Sequence, residues 1–217
     1  MCKKSNKRKR EDEYFEEPVY GATHAARGGS GSSMKVILGP RAIQSTNYGS
    51  KPGPSSIYRC MTPLNKLDFS VSKKGVKRGK WIAGHLMNDN MGGSGVQNTN
   101  LTPLTGTANK QHAGYEGKIK SALTVSDQIE RSKAIPEFTF GVDYEVEAVG
   151  QFETSGPHAL APEYIEFSSK LIKLDAATGT ISDATDADIL RAPKGSRKYL
   201  EGVRFSKIQV HNRKSHL

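Results

Sequence analysis

Gly84-His85-Leu86-Met87-Asn88, then Asn100-Leu101-Thr102-Pro103-Leu104, then Asn109: the reading of this chain turns on that stretch. Residues 81–87 have the apolar content of a strand. The glycine-rich Met91-Gly92-Gly93-Ser94-Gly95 reads as irregular loop. From Thr107 to about Leu123 the period changes. Ala108, His112, Tyr115, Ile119, Ala122 and Leu123 recur at three- and four-residue spacing, and Thr105 or Thr107 can serve as N-cap. On such a helix Asn109, His112, Glu116 and Lys120 stand at i, i+3, i+7 and i+11, one face that can be presented to the strand end bearing His85.

Outward from this unit the signals are mostly those of strands. Upstream, Leu67, Phe69 and Val71 alternate with polar neighbours, which predicts a strand ending at the basic turn 73–80 and pairing across it with 81–87. Downstream, Phe138, Phe140, Val142, Tyr144, Val146 and Ala148 alternate strictly with Thr, Gly, Asp and Glu, the clearest strand in the chain. Weaker strands are expected over 164–174 and 203–210. Val36-Ile37-Leu38 is a short apolar run closed by Gly39-Pro40, and 48–56 reads as loop. The fold class expected is α+β, an antiparallel sheet with a strand–loop–helix unit. One domain is expected over 34–217, with its core motif at about 67–123 and no internal repeat.

Residues 1–33 read differently. Lys3, Lys4, Lys7, Arg8, Lys9 and Arg10 are followed by Glu11, Asp12, Glu13, Glu16 and Glu17, a charge block expected to be a solvated, disordered tail. Arg27-Gly28-Gly29-Ser30-Gly31-Ser32-Ser33 reads as a flexible linker. Lys7-Arg8-Lys9-Arg10 also has the composition of a nuclear-import address.

Composition narrows the function. The 217 residues carry a formal net charge of +10, and the pI is about 9.5. Such a surface attracts nucleic acid, and also acidic membranes or acidic inhibitor proteins. Mean hydropathy is −0.59, so the core is expected to be small for this length. Cys2 and Cys60 are the only cysteines, which rules out a cysteine-based metal site and a disulfide framework. No apolar run approaches the ~18 residues of a membrane span, so no membrane partner is expected. Cations concentrate between Arg59 and Lys80, seven against the one acid Asp68, and again over 191–217, eight against Glu201. Either cluster can line a phosphate groove. Trp81 and Tyr199 are the stacking candidates nearby, too few for sequence-specific single-strand readout.

The residue types suit phosphodiester hydrolysis. A neutral imidazole at His85, with an ordinary pKa of about 6.5, can take a proton from attacking water. Asn109 offers a carbonyl oxygen to a hard cation such as Mg²⁺, which keeps several waters and needs few protein ligands. The cation would neutralise charge on the leaving oxygen, and Glu116 would hold a metal-bound water from the second shell.

These residues resemble the DNA/RNA non-specific endonucleases of the ββα-metal type, including toxin domains delivered by bacteria. The likeness is carried by Gly84-His85, by Asn100-Leu101-Thr102-Pro103, by Asn109 nine residues after Asn100, and by the helix acid Glu116. Gly84-His85-Leu86-Met87-Asn88 with Gly92-Gly93 is similar to the toxin branch. The resemblance covers residues 80–120. It implies His85 as general base, Asn109 as metal ligand, Asn100 as support and Glu116 as helix acid. His112, three residues after Asn109, stands where HNH-type sites place a second ligand. Mg²⁺ or Mn²⁺ is the implied cofactor, and DNA, with RNA beside it, the implied substrate. An acidic immunity protein is the implied partner of a toxin, whether the chain stays in the cytoplasm or is delivered to a target cell. Many members place Asp-Arg before Gly-His, where this chain has Ile82-Ala83. The cationic role of that arginine therefore has no assigned residue, and Arg78 and Lys80 are the nearest substitutes.

Plainer readings stand beside these. His85 reads also as an ordinary strand histidine, His112 as a partly buried helix residue, Glu116 with Lys120 as an i,i+4 surface pair, and the asparagines as turn formers. Two function classes besides a metal-dependent endonuclease remain: a non-catalytic nucleic-acid-binding protein on the same fold, and an interaction protein whose charge serves solubility.

Overall fold

The computed structural model describes residues 14–43, 49–53 and 55–217. In chain order its strands and helices are β1 (Tyr14–Tyr20), β2 (Ser33–Leu38), α1 (Tyr58–Leu67), β3 (Phe69–Val71), β4 (Lys77–Gly79), β5 (Trp81–His85), β6 (Leu101–Thr105), α2 (Gly106–Ser132), β7 (Phe138–Val149), β8 (Tyr164–Asp175), β9 (Ile181–Asp183), α3 (Asp186–Arg191), α4 (Lys194–Glu201) and β10 (Phe205–His211). The class is α+β. One antiparallel sheet runs in the order β1-β2-β7-β8-β10, with β9 paired to β8, and two small ribbons, β3–β4 and β5–β6, lie apart from it.

The alternation of β7 builds the main core. Phe138, Phe140, Val142, Tyr144, Val146 and Ala148 are all buried, together with Met34, Val36 and Leu38 of β2 and Ile165, Phe167 and Leu171 of β8. Helix α2 closes that face with Ala108, Ile119, Ala122 and Leu123. Each fully buried large apolar side chain contributes roughly 1.5–3 kcal/mol, so this layer dominates the stability. Thr105 caps α2 by accepting a hydrogen bond from Ala108 N at 3.2 Å. The helix runs past Leu123 to Ser132 because Val125, Ser126 and Ile129 continue the buried stripe. A second, smaller core of Ile57, Cys60, Leu64, Trp81, Leu101 and Ala161 lies under α1.

Three expectations are corrected. First, β5 pairs with β6, from Trp81↔Thr105 to His85↔Leu101, and not with the strand before it. Leu101 and Leu104 are fully buried by that pairing, whereas Phe69 and Val71 stay exposed, so the apolar gain selects β6. The basic turn closes β3 on β4 instead, with register Phe69↔Gly79 to Val71↔Lys77. Second, Leu67 ends a helix, α1, whose Cys60 and Leu64 face the second core despite Pro63 inside it. Third, the segment expected as tail and linker is ordered from Tyr14 onward. β1 pairs with β2, Ser30 is fully buried, and Arg27 is only 1% exposed, donating from Nη2 to Ala148 O at 2.9 Å. Gly31 N donates to Leu101 O at 2.7 Å. Gly28 and Gly31 serve close contact, with Cys60 and with the Thr99 backbone, which composition alone reads as flexibility. Residues 1–13, with the run Lys7-Arg8-Lys9-Arg10, lie outside the described residues.

Candidate active site

The antiparallel pair β5–β6 feeds directly into α2, so strand, strand and helix form one continuous unit. Gly84 is the contact point between them. A Cβ at Gly84 would stand 2.6 Å from Leu104 Cδ1 and 3.0 Å from Asn109 Oδ1. Only a glycine lets the first turn of α2 bring the Asn109 carboxamide against the strand, at the residue before His85. That carboxamide is half-buried and has no hydrogen-bonding partner among the described residues.

His85 ends β5. Its Nε2 lies 3.0 Å from the carbonyl oxygen of Ser50. A carbonyl can only accept, so Nε2 carries the hydrogen and donates it, and Nδ1 of the neutral ring holds the lone pair. Burial lowers the pKa of His85, opposed by the Ser50 carbonyl and by Asp89. The ring is therefore in its basic, neutral form near neutral pH.

The loop after β5 is held from two sides. Asn100 is fully buried. Its Oδ1 accepts from Met87 N at 2.8 Å, and its Nδ2 donates to Met87 O at 3.0 Å and to Ser94 O at 3.2 Å. Glu116, 2% exposed, accepts from Asn88 N at 3.0 Å and from Asn88 Nδ2 at 3.1 Å. Lys120 Nζ donates to Asn88 Oδ1 at 3.1 Å. Burial pushes the Glu116 carboxyl up to about 8, against Lys120 and the two Asn88 bonds, which pull it down. Glu116 and Lys120 are thus joined through Asn88 and are not an exposed surface pair.

His112 is placed in the core. It is 1% exposed, its Nε2 is 2.6 Å from Tyr144 Oη, and its ring packs on Tyr144 and Phe167. Burial, with a smaller contribution from the His85 imidazole, lowers its pKa to about 3. Arg78 and Lys80 are not brought to His85. They precede Trp81 at the opposite end of β5, with Lys80 five residues from His85, about 16 Å at roughly 3.3 Å per residue, and Arg78 farther. Trp81 is 2% exposed and gives its Nε1 hydrogen to Asp68 Oδ2 at 2.7 Å, so it offers no stacking face.

Sequence reasoning missed Ser50, which lies in a Gly/Pro/Ser-rich loop without any periodic signal. Asn88 does cap the turn after β5, its Oδ1 accepting from Asn90 N at 3.0 Å, and its contact with Glu116 is the part not read from sequence. No group of three or more His, Cys, Asp or Glu residues is arranged to hold a metal among the described residues. The donor set fits a hard divalent cation with few protein ligands: one unpartnered carboxamide oxygen, and no soft or imidazole cluster. No helix among the described residues is long and apolar enough to cross a membrane.

No protein-family model matches the chain, and no curated protein matches it. Among solved structures the chain is similar to one described as Sda1 nuclease with bound zinc ion, at TM-score 0.47 and 17% identity, over 91% of this chain and 75% of that one. It is also similar to one described as an extracellular endonuclease, at TM-score 0.41 and 15% identity, over 98% of this chain and 82% of that one.

Proposed function

We propose that this protein is a metal-dependent endonuclease that hydrolyses phosphodiester bonds of DNA, with RNA as a second substrate class. One observation carries the reading: the unpartnered Asn109 oxygen lies against Gly84, next to a histidine held neutral with its Nδ1 lone pair free. A bound Mg²⁺ or Mn²⁺ on Asn109 would supply charge neutralisation at the leaving oxygen. His85 Nδ1 takes a proton from water as that water's oxygen attacks phosphorus and the P–O bond to the leaving group breaks. Asn100 and Glu116 are positioning residues that hold the loop following His85. His112 supports the fold beneath the site through Tyr144. The toxin role and an acidic inhibitor partner rest on the Gly-His-Leu-Met-Asn resemblance alone.

Plasmid DNA and RNA incubated with Mg²⁺, with EDTA, and with the His85→Ala variant test this reading. Metal-dependent cutting lost in His85→Ala is the expected result, and equal degradation by the variant would remove the assignment. A non-catalytic nucleic-acid-binding protein is the second reading. It is favoured by Ile82 and Ala83, which pack on the two cores and leave no cation on β5 beside His85. Salt-sensitive DNA binding without metal-dependent cutting would select it.

A further inference from the structure

Of the two cation clusters, the C-terminal one has half of its eight cations engaged by acids or carbonyls, whereas five cations around the β3–β4 ribbon are held by none among the described residues. In the C-terminal cluster, Arg191 pairs with Glu137 at 2.5 Å, Arg204 with Asp186, and Lys214 with Glu153 at 2.7 Å. Arg197 donates to the carbonyls of Ala192 and Leu190. In the other cluster, none of Lys66, Lys73, Lys74, Arg78 and Lys80 has an ion-pair partner among the described residues. The single acid of that stretch, Asp68, is turned inward. Its Oδ2 accepts from Trp81 Nε1 and meets His158 Nε2 at 2.6 Å, and the side chain is 16% exposed.

These cations surround the β3–β4 ribbon, which stands out from the protein. All three residues of β3 are exposed, and Val71 and Val76 are 56% and 54% exposed. The turn that carries Lys73 and Lys74 is built, not loose. Ser72 N donates to Val76 O at 2.9 Å and Gly75 N to Ser72 O at 2.8 Å, with Ser72 Oγ accepting from Lys74 N and Val76 N. Gly75 has φ +75°, a conformation that favours glycine. A rigid, basic, partly apolar two-stranded ribbon has the width of a B-form major groove, ~12 Å, whereas the A-form major groove is too deep and narrow for it.

We infer that the β3–β4 ribbon is a DNA-duplex-binding arm, which lays its free cations along the phosphates and its apolar face into the groove. Its position relative to the chemistry rests on the endonuclease reading. Lys80 leads directly into β5, so the arm starts about 16 Å from His85, roughly five base pairs along a duplex at ~3.4 Å per pair. Trp81, where the ribbon joins β5, is buried and offers no stacking face, which leaves Phe69 as the exposed aromatic of β3 against the apolar and cationic contacts that favour a duplex.

The test is binding by the full chain in EDTA, where no cutting occurs, to a fluorescent DNA duplex and to a single strand of equal length. Lys73→Ala/Lys74→Ala/Arg78→Ala is compared with the equal charge change Lys194→Ala/Lys198→Ala/Lys207→Ala. The ribbon triple should weaken duplex binding at least ~10-fold and lower the salt slope by about 2.7, at roughly 0.9 per phosphate contact. The control triple should change affinity less than ~3-fold. Wild type should bind the single strand more weakly than the duplex, and Val71→Ser/Val76→Ser should weaken the duplex complex further as salt rises. Equal losses in both triples, unchanged duplex binding, or equal affinity for the single strand would overturn the inference. So would ribbon-dependent binding to vesicles rich in anionic lipid with DNA binding unaffected. The substituted side chains are exposed, and an unchanged unfolding midpoint shows that the fold is kept. Cutting with Mg²⁺ is scored separately. Ribbon-dependent binding without cutting removes the enzyme and keeps the arm, and cutting with unaltered variant binding does the reverse.

Discussion

His85 Nε2 and the Ser50 carbonyl oxygen lie 3.0 Å apart, and this contact fixes which nitrogen of the imidazole is basic. Thirty-five residues separate the partners in the chain, so the tautomer of the proposed base is set by a loop remote in sequence. The donor hydrogen on Nε2 leaves Nδ1 as the proton acceptor. His85→Ala should lower kcat by about 10²–10⁴, the range of a lost general base, without unfolding the chain.

The pH dependence of that base follows. His85 must be neutral to act, and burial lowers its pKa below the ordinary 6.5. Cutting should therefore persist below pH 6.5 and fail only on further acidification. Asp89 opposes the lowering, so Asp89→Asn should move the acid limb of kcat/KM to lower pH. A limb that stays put or moves upward would show that another group titrates.

Gly84→Ala probes the strand–helix contact. The added methyl meets Leu104 and the Asn109 oxygen at distances that require one of them to move. Destabilisation of about 1–3 kcal/mol by overpacking is expected in chemical unfolding. The Mg²⁺ concentration giving half-maximal cutting should also rise. An unchanged metal titration would separate Asn109 from the cation.

Asn100→Ala should behave as a structural loss with a catalytic consequence. Met87 N would be left buried and unpaired, a penalty of about 1–3 kcal/mol. Met87 O and Ser94 O would also lose their donor. A drop in kcat with KM nearly constant is expected as the loop after His85 loosens. A purely uniform rise in KM would assign Asn100 to substrate binding.

His112 predicts an acid-sensitive core. Its folded pKa, about 3, lies below its ordinary 6.5, so the unfolded chain binds the proton more readily between those values. The stability it contributes is complete above pH 6.5 and is lost as pH falls toward 3. His112→Phe should flatten that share of the unfolding profile. Tyr144→Phe, which strands Nε2, should cost about 1–3 kcal/mol at pH 7. A wild-type profile that His112→Phe leaves unaltered would place the ring in solvent.

Local periodicity made much of the fold legible. The alternation of Phe138 to Ala148 lies within one strand, and the burial of Ala108, Ile119, Ala122 and Leu123 follows from helical spacing. The placement of Asn109, His112 and Glu116 on one helix was readable in the same way. The roles those residues take were not, because each is set by a partner distant in the chain: Tyr144 for His112, and Asn88 for Glu116.

The sequence by itself determined the periodic elements, the excess of positive charge and the spacing of the histidine and asparagines, since these are properties of neighbours along the chain. Tertiary structure alone decided that β5 pairs with β6, that Arg27 is buried against Ala148, 121 residues away, and that Ser50 orients His85. It also decided which cations stay free, because Glu137, Asp186 and Glu153 reach Arg191, Arg204 and Lys214 only through the fold. Strand partners, ion pairs and tautomers depend on which surfaces meet and exclude water, and that is a property of the packed molecule.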